Sequence, residues 1–317
     1  MDNKLHDTIK ITDINTLVIS GGAMMGFLFL GTIKLLNEYN VLNRIKYYYG
    51  TSFGGILVTG LNLGWNLEDL FKFSNFPLDI MIDFNIDNFL NNYGLIPKIN
   101  YETLFKKIIK YKGFNEDITF LDLHNKTKKE LNLVTYNMKK NVIELLNYKN
   151  TPNLKIWEGL YMTSAIPIIV PPYEYNGDIY VDGGICENFN INDVDKSNIN
   201  KTIGIKLNIN IINSTNLKDI IDNKNLINYF NYSLELVKSI FTRKKNYNTS
   251  NFFNLSHSDN LTLSDKINLS LDNDIKLNMI NDGYKQSVSQ IHSIINTMFK
   301  LQINEHKINK ISKYYEI

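Results

Sequence analysis

Tyr47-Tyr48-Tyr49-Gly50-Thr51-Ser52-Phe53-Gly54-Gly55 is the stretch on which the fold turns. Three successive tyrosines read as a strand. An apolar helical run follows to about Leu63. Between them stands Gly50-x-Ser52-x-Gly54. A serine hydroxyl is a poor nucleophile until it is exposed, oriented and set beside a base. A sharp strand-to-helix turn supplies exposure and orientation. Glycines two residues before and after the serine are needed where that turn packs too closely for side chains. The same five residues also fit an ordinary glycine-rich turn, so their surroundings must decide.

Upstream, Asn15–Ser20 reads as a buried strand that runs into Gly21-Gly22-Ala23-Met24-Met25-Gly26. A helical pattern then extends to about Tyr39, with Phe27, Leu30, Ile33, Leu35 and Leu36 on its apolar side. A glycine loop between strand and helix gathers backbone N–H groups at a helix N-terminus, which suits a phosphate or a developing oxyanion. A dinucleotide fingerprint fits poorly. Ala23 stands at its third glycine position, and the acidic residue expected about 20 residues on is not evident. An oxyanion hole built from backbone amides fits better.

Downstream, Leu131–Tyr136 and Val142–Leu146 read as strands, and Ile156–Met162 as a short helix closed by Pro167. Ile179–Val181 reads as a strand that meets Asp182-Gly183-Gly184, and Thr202–Leu207 as the last core strand. An aspartate after a strand, followed by two glycines, sits in an open loop at the sheet edge, where α/β folds bind ligands. Residues 66–110 look helical but interrupted, with Pro77 and Pro97 as punctuation. Helices are expected at Leu226–Thr242 and Asp282–Phe299.

The 317 residues are 44% hydrophobic, enough for a full-sized core. A net charge of +2 argues against a protein that grips nucleic acid electrostatically. The single cysteine, Cys186, excludes an internal disulfide framework, and no cysteine cluster marks a zinc site. The chain holds 47 Asn, 43 Ile and 32 Lys against two Arg, the mark of AT-rich coding. Its Asn-x-Ser/Thr triplets therefore carry no weight as glycosylation sites, and an absent arginine can reflect drift. Met1–Lys10 lacks the apolar core of a secretory signal, and no stretch approaches the roughly 20 apolar residues of a spanning helix. An intracellular protein, or one peripheral to a membrane, is the expectation.

Taken in order, these motifs resemble the patatin-like phospholipase family. That family carries a glycine-rich oxyanion loop, then a G-x-S-x-G elbow, then D-G-G or D-G-A. Here they are Gly21–Gly26, Gly50–Gly54 and Asp182–Gly184. Thr119-Phe120-Leu121-Asp122-Leu123 resembles the family's TF-x-D-L segment, and Ser164-Ala165-Ile166-Pro167 its S-A-x-P. The resemblance covers about residues 14–205, and 206–317 reads as a helical C-terminal extension packed on the same domain. It implies a three-layer α/β/α fold with a mostly parallel sheet. It also implies a Ser–Asp dyad in which Ser52 is the nucleophile and Asp182 the base. The oxyanion would be held around Gly21, Gly22, Ala23, Gly26 and Phe53, with Gly50, Gly54, Gly183 and Gly184 shaping the loops. The implied partner is a phospholipid or other acyl lipid, met in transient contact with a membrane surface. No cofactor, metal or nucleic acid is implied, and oligomeric state is left open.

Two positions depart from the family. Met25 replaces the usual basic residue of the oxyanion loop. Ile185-Cys186-Glu187-Asn188-Phe189-Asn190 keeps an asparagine after the D-G-G motif but not the usual proline. An α/β-hydrolase triad of Ser52 and Asp182 with His257 or His292 is an alternative, and so is an inactive lipid-binding relative. Phe27–Phe29 and the stretch Phe76–Ile96 could offer apolar surface to an acyl chain, the second as a lid with Asp79, Asp83 and Asp87 in one acidic stripe. Ordinary core is the simpler reading of both. Lysine clusters at 106–107, 126–129, 139–140 and 243–245 fit solvated faces better than lipid contacts.

Overall fold

The computed structural model describes residues 13–74, 85–208, 251–256 and 272–315, with side chains of the last helix described through Met298. Eight strands form one sheet: β1 (Thr16–Ile19), β2 (Tyr47–Thr51), β3 (Glu130–Asn137), β4 (Val142–Leu146), β5 (Tyr173–Tyr175), β6 (Asp178–Asp182), β7 (Thr202–Leu207) and β8 (Phe252–Leu255). Their order is β5-β6-β3-β2-β1-β7-β8, with β4 also on β3. The run β3-β2-β1-β7-β8 is parallel, and β4, β5 and β6 are antiparallel additions.

The described helices are α1 (Phe27–Glu38), α2 (Phe53–Asn62), α3 (Leu67–Ser74), α4 (Ile86–Asn92), α5 (Lys98–Lys110), α6 (Phe120–Thr127), α7 (Ile156–Ser164) and α8 (Asn273–Tyr315). Both faces of the sheet are buried, and the polar residues that β3 carries inward are hydrogen-bonded: Asn132 to the Tyr48 carbonyl and Thr135 to the Val181 carbonyl. Leu17, Ile19 and Tyr48 point into the large core shared with α1, α2, α5, α7 and α8. Their neighbours Val18 and Tyr49 point the other way, onto Phe189, Ile191 and Val194. The arrangement is a three-layer α/β/α sandwich with a mostly parallel sheet. No helix among the described residues is long and apolar enough to cross a membrane.

Several elements follow directly from local chemistry. The Thr119 hydroxyl accepts the Asp122 amide at 3.1 Å and donates to the Asp122 carboxylate at 2.8 Å, which caps α6. The TF-x-D-L segment is thus a helix start. At the other end of the chain α8 crosses α1 at glycines. A Cβ on Gly283 would overlap the Leu28 carbonyl, and one on Gly31 the Ile280 carbonyl. Thr32 and Ser287 share a hydrogen bond of 2.7 Å in that crossing, and the Tyr284 hydroxyl donates to Glu38 at 2.8 Å.

Three expectations need correction or extension. Thr202–Leu207 is not the last strand, because Phe252–Leu255 adds β8 in parallel to β7. Four residues in an Asn-rich setting gave no periodic signal. Tyr173–Tyr175 forms β5, a three-residue edge strand equally hard to read. The last helix runs well beyond Asp282–Phe299 in both directions. The expected helix at 226–242 and residues 75–84 of the proposed lid lie outside the described residues.

Candidate active site

The elbow is built as its glycines require. Ser52 links β2 to α2 with φ 53° and ψ −124°, a backbone conformation that side chains rarely adopt. A Cβ on Gly50 would meet Val58 and the Gly54 carbonyl at 2.6–2.7 Å. One on Gly54 would overlap the Ser20 carbonyl of the neighbouring strand end. The Ser52 amide donates to the Thr163 hydroxyl at 3.0 Å, and that hydroxyl donates to the Val134 carbonyl at 2.6 Å. Thr163 thereby ties the serine turn to both β3 and α7.

Strand register carries Asp182 to the same place. Thr51 pairs with Val134 of β3, and Asp182 pairs with the next residue, Thr135. Across Leu133–Asn137 the opposite edge of β3 is taken by β4. A strand has only two edges. So β2 and β6 meet end to end on one edge of β3, and Ser52 and Asp182 come together where they meet. The Asp182 amide donates to the Ala165 carbonyl at 3.0 Å, and its carboxylate accepts the Gly184 amide at 2.7 Å. Thr135 adds a hydroxyl bond of 2.8 Å to the Val181 carbonyl. Ser52 and Asp182 are both buried, at 8% and 4% exposure.

The glycine-rich loop closes the third side. Ala23–Gly26 forms a 3-10 turn that leads into α1, with Gly22 as its cap. Gly26 lies against the Phe53 ring, which also stacks edge-on to Phe27 at 5.3 Å. A Cβ placed on Gly21 would stand 3.3 Å from Ser52 Cβ and would overlap the Asn188 side chain. Asn188 donates from Nδ2 to the Gly21 carbonyl at 2.9 Å, and its own carbonyl accepts the Gly21 amide at 3.1 Å. The same side chain abuts Gly184, next to Asp182. One asparagine therefore links the glycine loop to the aspartate loop.

Gly21, Gly22, Ala23, Gly26, Gly50, Ser52, Phe53, Gly54, Asp182, Gly183 and Gly184 are thus gathered in one region. Sequence reasoning missed Thr163 and Tyr101 and gave Asn188 no role. Tyr101 is a buried α5 residue whose ring packs edge-on to Phe105 at 5.6 Å and Tyr161 at 5.8 Å. Burial, and then the Asp182 carboxylate, push its hydroxyl above the ordinary tyrosine range. Thr163 stands one residue before the S-A-x-P segment, so position alone could have flagged it. Tyr101 had no such signal.

The family model of patatin-like phospholipases matches residues 17–195, more than half of the chain. The chain belongs to this family. Among curated relatives, the probable lipid hydrolase 463L of Invertebrate iridescent virus 6 is 32% identical over 194 residues, covering 60% of this chain and 66% of the relative. The chain therefore spans just under two thirds of that relative's length. Two solved effector structures share the fold. VipD of Legionella pneumophila has a TM-score of 0.52 at 16% identity, covering 89% of this chain and 67% of VipD. ExoU of Pseudomonas aeruginosa has a TM-score of 0.53 at 14% identity, covering 89% of this chain and 53% of ExoU.

Membership of the patatin-like family gives the departures a structural meaning. Met25, where the family usually has a basic residue, is 4% exposed and part of the main core. An ammonium or guanidinium there would need a buried partner, and Met25 instead packs. Phe27, Leu28 and Phe29 are wholly buried, so they offer no surface to an acyl chain. His124 stacks on Tyr148 at 3.7 Å and bonds the Lys129 carbonyl, beside the start of β3 and away from Ser52. His292 is exposed on α8, and His257 lies outside the described residues.

Proposed function

We propose that this patatin-like protein is a lipid acyl hydrolase that cleaves fatty-acyl esters of phospholipids or related lipids. The observation that supports the reading is the end-to-end meeting of β2 and β6 on β3, the strands whose ends lead to Ser52 and carry Asp182. Asp182 takes the Ser52 hydroxyl proton as Oγ attacks the ester carbonyl carbon. The Gly184 amide and the β6 backbone hold that carboxylate in one orientation. The negative charge that develops on the carbonyl oxygen is met by backbone N–H groups of Gly22, Ala23 and Phe53. These groups stand at the first turns of two helical segments, where amides have no partner within the helix. Collapse of the tetrahedral species expels the lipid alcohol, which takes the proton from Asp182. Water, deprotonated by the same carboxylate, then releases the fatty acid and restores Ser52.

The assay is fatty-acid release from dispersed phosphatidylcholine, with products resolved by chromatography. Folded Ser52→Ala and Asp182→Asn proteins should each lose about a thousandfold or more in kcat. His292→Gln and His257→Gln should keep activity within about threefold, because no step needs an imidazole. Wild-type turnover by Ser52→Ala would contradict the serine mechanism. A large loss from either histidine change, with stability intact, would favour the triad.

A further inference from the structure

Helix α4 carries its apolar side outward. Ile86, Leu90 and Tyr93 follow the i, i+4, i+7 spacing of one helical face, and they are 70%, 69% and 71% exposed. Ile99, near the start of α5, is 61% exposed, and Ile168 is 38% exposed. A surface helix in water normally shows the reverse arrangement, with polar residues outward. Exposed apolar residues scattered singly need no explanation, but a cluster on one face marks an interaction site.

The face is held firmly. The Asn85 side chain caps α4 by accepting the Asn88 amide at 3.0 Å, and the Asn85 amide donates to the Leu95 carbonyl at 2.8 Å. The amides of Leu95 and Ile96 then donate to the carbonyls of Ile168 and Ile169 at 2.9 and 2.8 Å. A Cβ on Gly94 would overlap Pro171, so the two segments touch along their backbones. Ile168 itself has a φ of +73°, a value that β-branched residues rarely adopt. That conformation leaves its apolar side chain partly in solvent. Three residues earlier in the same segment, Ala165 accepts the Asp182 amide. The apolar face is therefore continuous with the segment that supports the candidate catalytic aspartate.

We infer that the face formed by Ile86, Leu90, Tyr93, Ile99 and Ile168 docks the protein on a lipid surface of neutral or zwitterionic headgroups. The identity of the occupant rests on the hydrolase reading above, since an acyl lipid is presented as a surface rather than as single molecules. Charge sets the headgroup class. From Asn85 to Asn100 the charged residues are Asp87 and Lys98, and asparagines supply much of the remaining polarity. The Lys98 ammonium lies over the Tyr173 ring at 4.1 Å and the Tyr161 ring at 5.9 Å. One acid and one base give anionic lipid no net attraction. Apolar side chains that enter the headgroup boundary do the work instead.

The test uses full-length Ser52→Ala protein, so that vesicles stay intact, and reads sedimentation with phosphatidylcholine vesicles at low and high salt. Binding should be insensitive to salt. Adding Ile86→Ser, Leu90→Ser and Tyr93→Ser should lower the partition coefficient by about tenfold or more. In the Ser52 background the same triple change should leave hydrolysis of a short soluble ester within about twofold. A Leu90→Trp reporter should shift its emission to the blue on vesicles and be quenched by brominated phosphatidylcholine. Unchanged binding by the triple variant, binding that requires anionic lipid, or an unquenched reporter would each overturn the inference. So would self-association lost in the triple variant without any vesicle binding, which would make the face a protein contact. Vesicle binding through this face without hydrolysis of any acyl lipid would leave docking standing and remove the hydrolase reading. Hydrolysis of dispersed lipid that ignores the triple change would do the opposite.

Discussion

The Ser52 amide donates to the Thr163 hydroxyl at 3.0 Å, so the turn that presents the candidate nucleophile is anchored by a side chain from a different helix. The anchor matters because Ser52 sits at φ 53°, a conformation that persists only where its surroundings enforce it. Thr163 also donates to the Val134 carbonyl, on the strand that aligns β2 with β6. One hydroxyl thus couples the serine turn to the frame that positions Asp182.

Thr163→Val keeps the shape of the side chain and removes both hydrogen bonds. It should lower kcat on a soluble ester by about 10- to 100-fold with KM nearly unchanged, the effect of a slightly misplaced nucleophile. Thr163→Ser should recover most of the loss. Equal kcat for Val and Thr in steady-state assays would remove the anchoring role.

Asn188 and Gly21 make a second, independent test. Asn188→Ala removes the tie between glycine loop and aspartate loop, and should cost about tenfold or more in kcat with the fold kept. Gly21→Ala should cost more, because its methyl would overlap Asn188 and crowd Ser52 Cβ at 3.3 Å. If circular dichroism is unchanged and Gly21→Ala retains full activity, the loop does not stand where the oxyanion forms.

Much of this is legible in the sequence. The elbow is legible as a motif of five residues, although its glycines are required by neighbours outside it, Val58 at Gly50 and the Ser20 carbonyl at Gly54; β1, β2, β3, β4, β6 and β7 stand out by their β-branched or aromatic runs. The residues that tie the site together do not. Thr163 contacts Ser52 across 111 positions, and Asn188 contacts Gly21 across 167. Such partners depend on strand register, which no local pattern encodes. Phe27–Phe29, for which ordinary core is the simpler reading of the sequence, is core: all three side chains are buried.

The α1–α8 crossing makes a stability prediction. Gly283→Ala puts a methyl onto the Leu28 carbonyl, where backbone must move to admit it. The cost should be about 1–3 kcal/mol, read as a fall of several degrees in Tm. An unchanged Tm would mean that α8 is not seated on α1 as described.

A pH dependence follows from Asp69. Burial alone would raise its pKa, but the Lys112 ammonium, the Asn66 amide and the Tyr111 hydroxyl outweigh it and hold the carboxyl below the ordinary value. A depressed folded pKa contributes stability that is present above the unfolded value of about 3.9 and is lost as pH falls through the folded one. Asp69→Asn should therefore lower Tm at neutral pH, and the gap to wild type should narrow in acid. A gap that is constant or widens below pH of about 4 would contradict this sign.

Activation of Ser52 by Asp182 is read out by treating the intact protein with a fluorophosphonate and locating the adduct by peptide mass spectrometry. One phosphonylated residue, Ser52, is expected, with labelling abolished in Ser52→Ala and slowed by orders of magnitude in Asp182→Asn. Labelling at another residue, or undiminished labelling of folded Asp182→Asn protein, would contradict it.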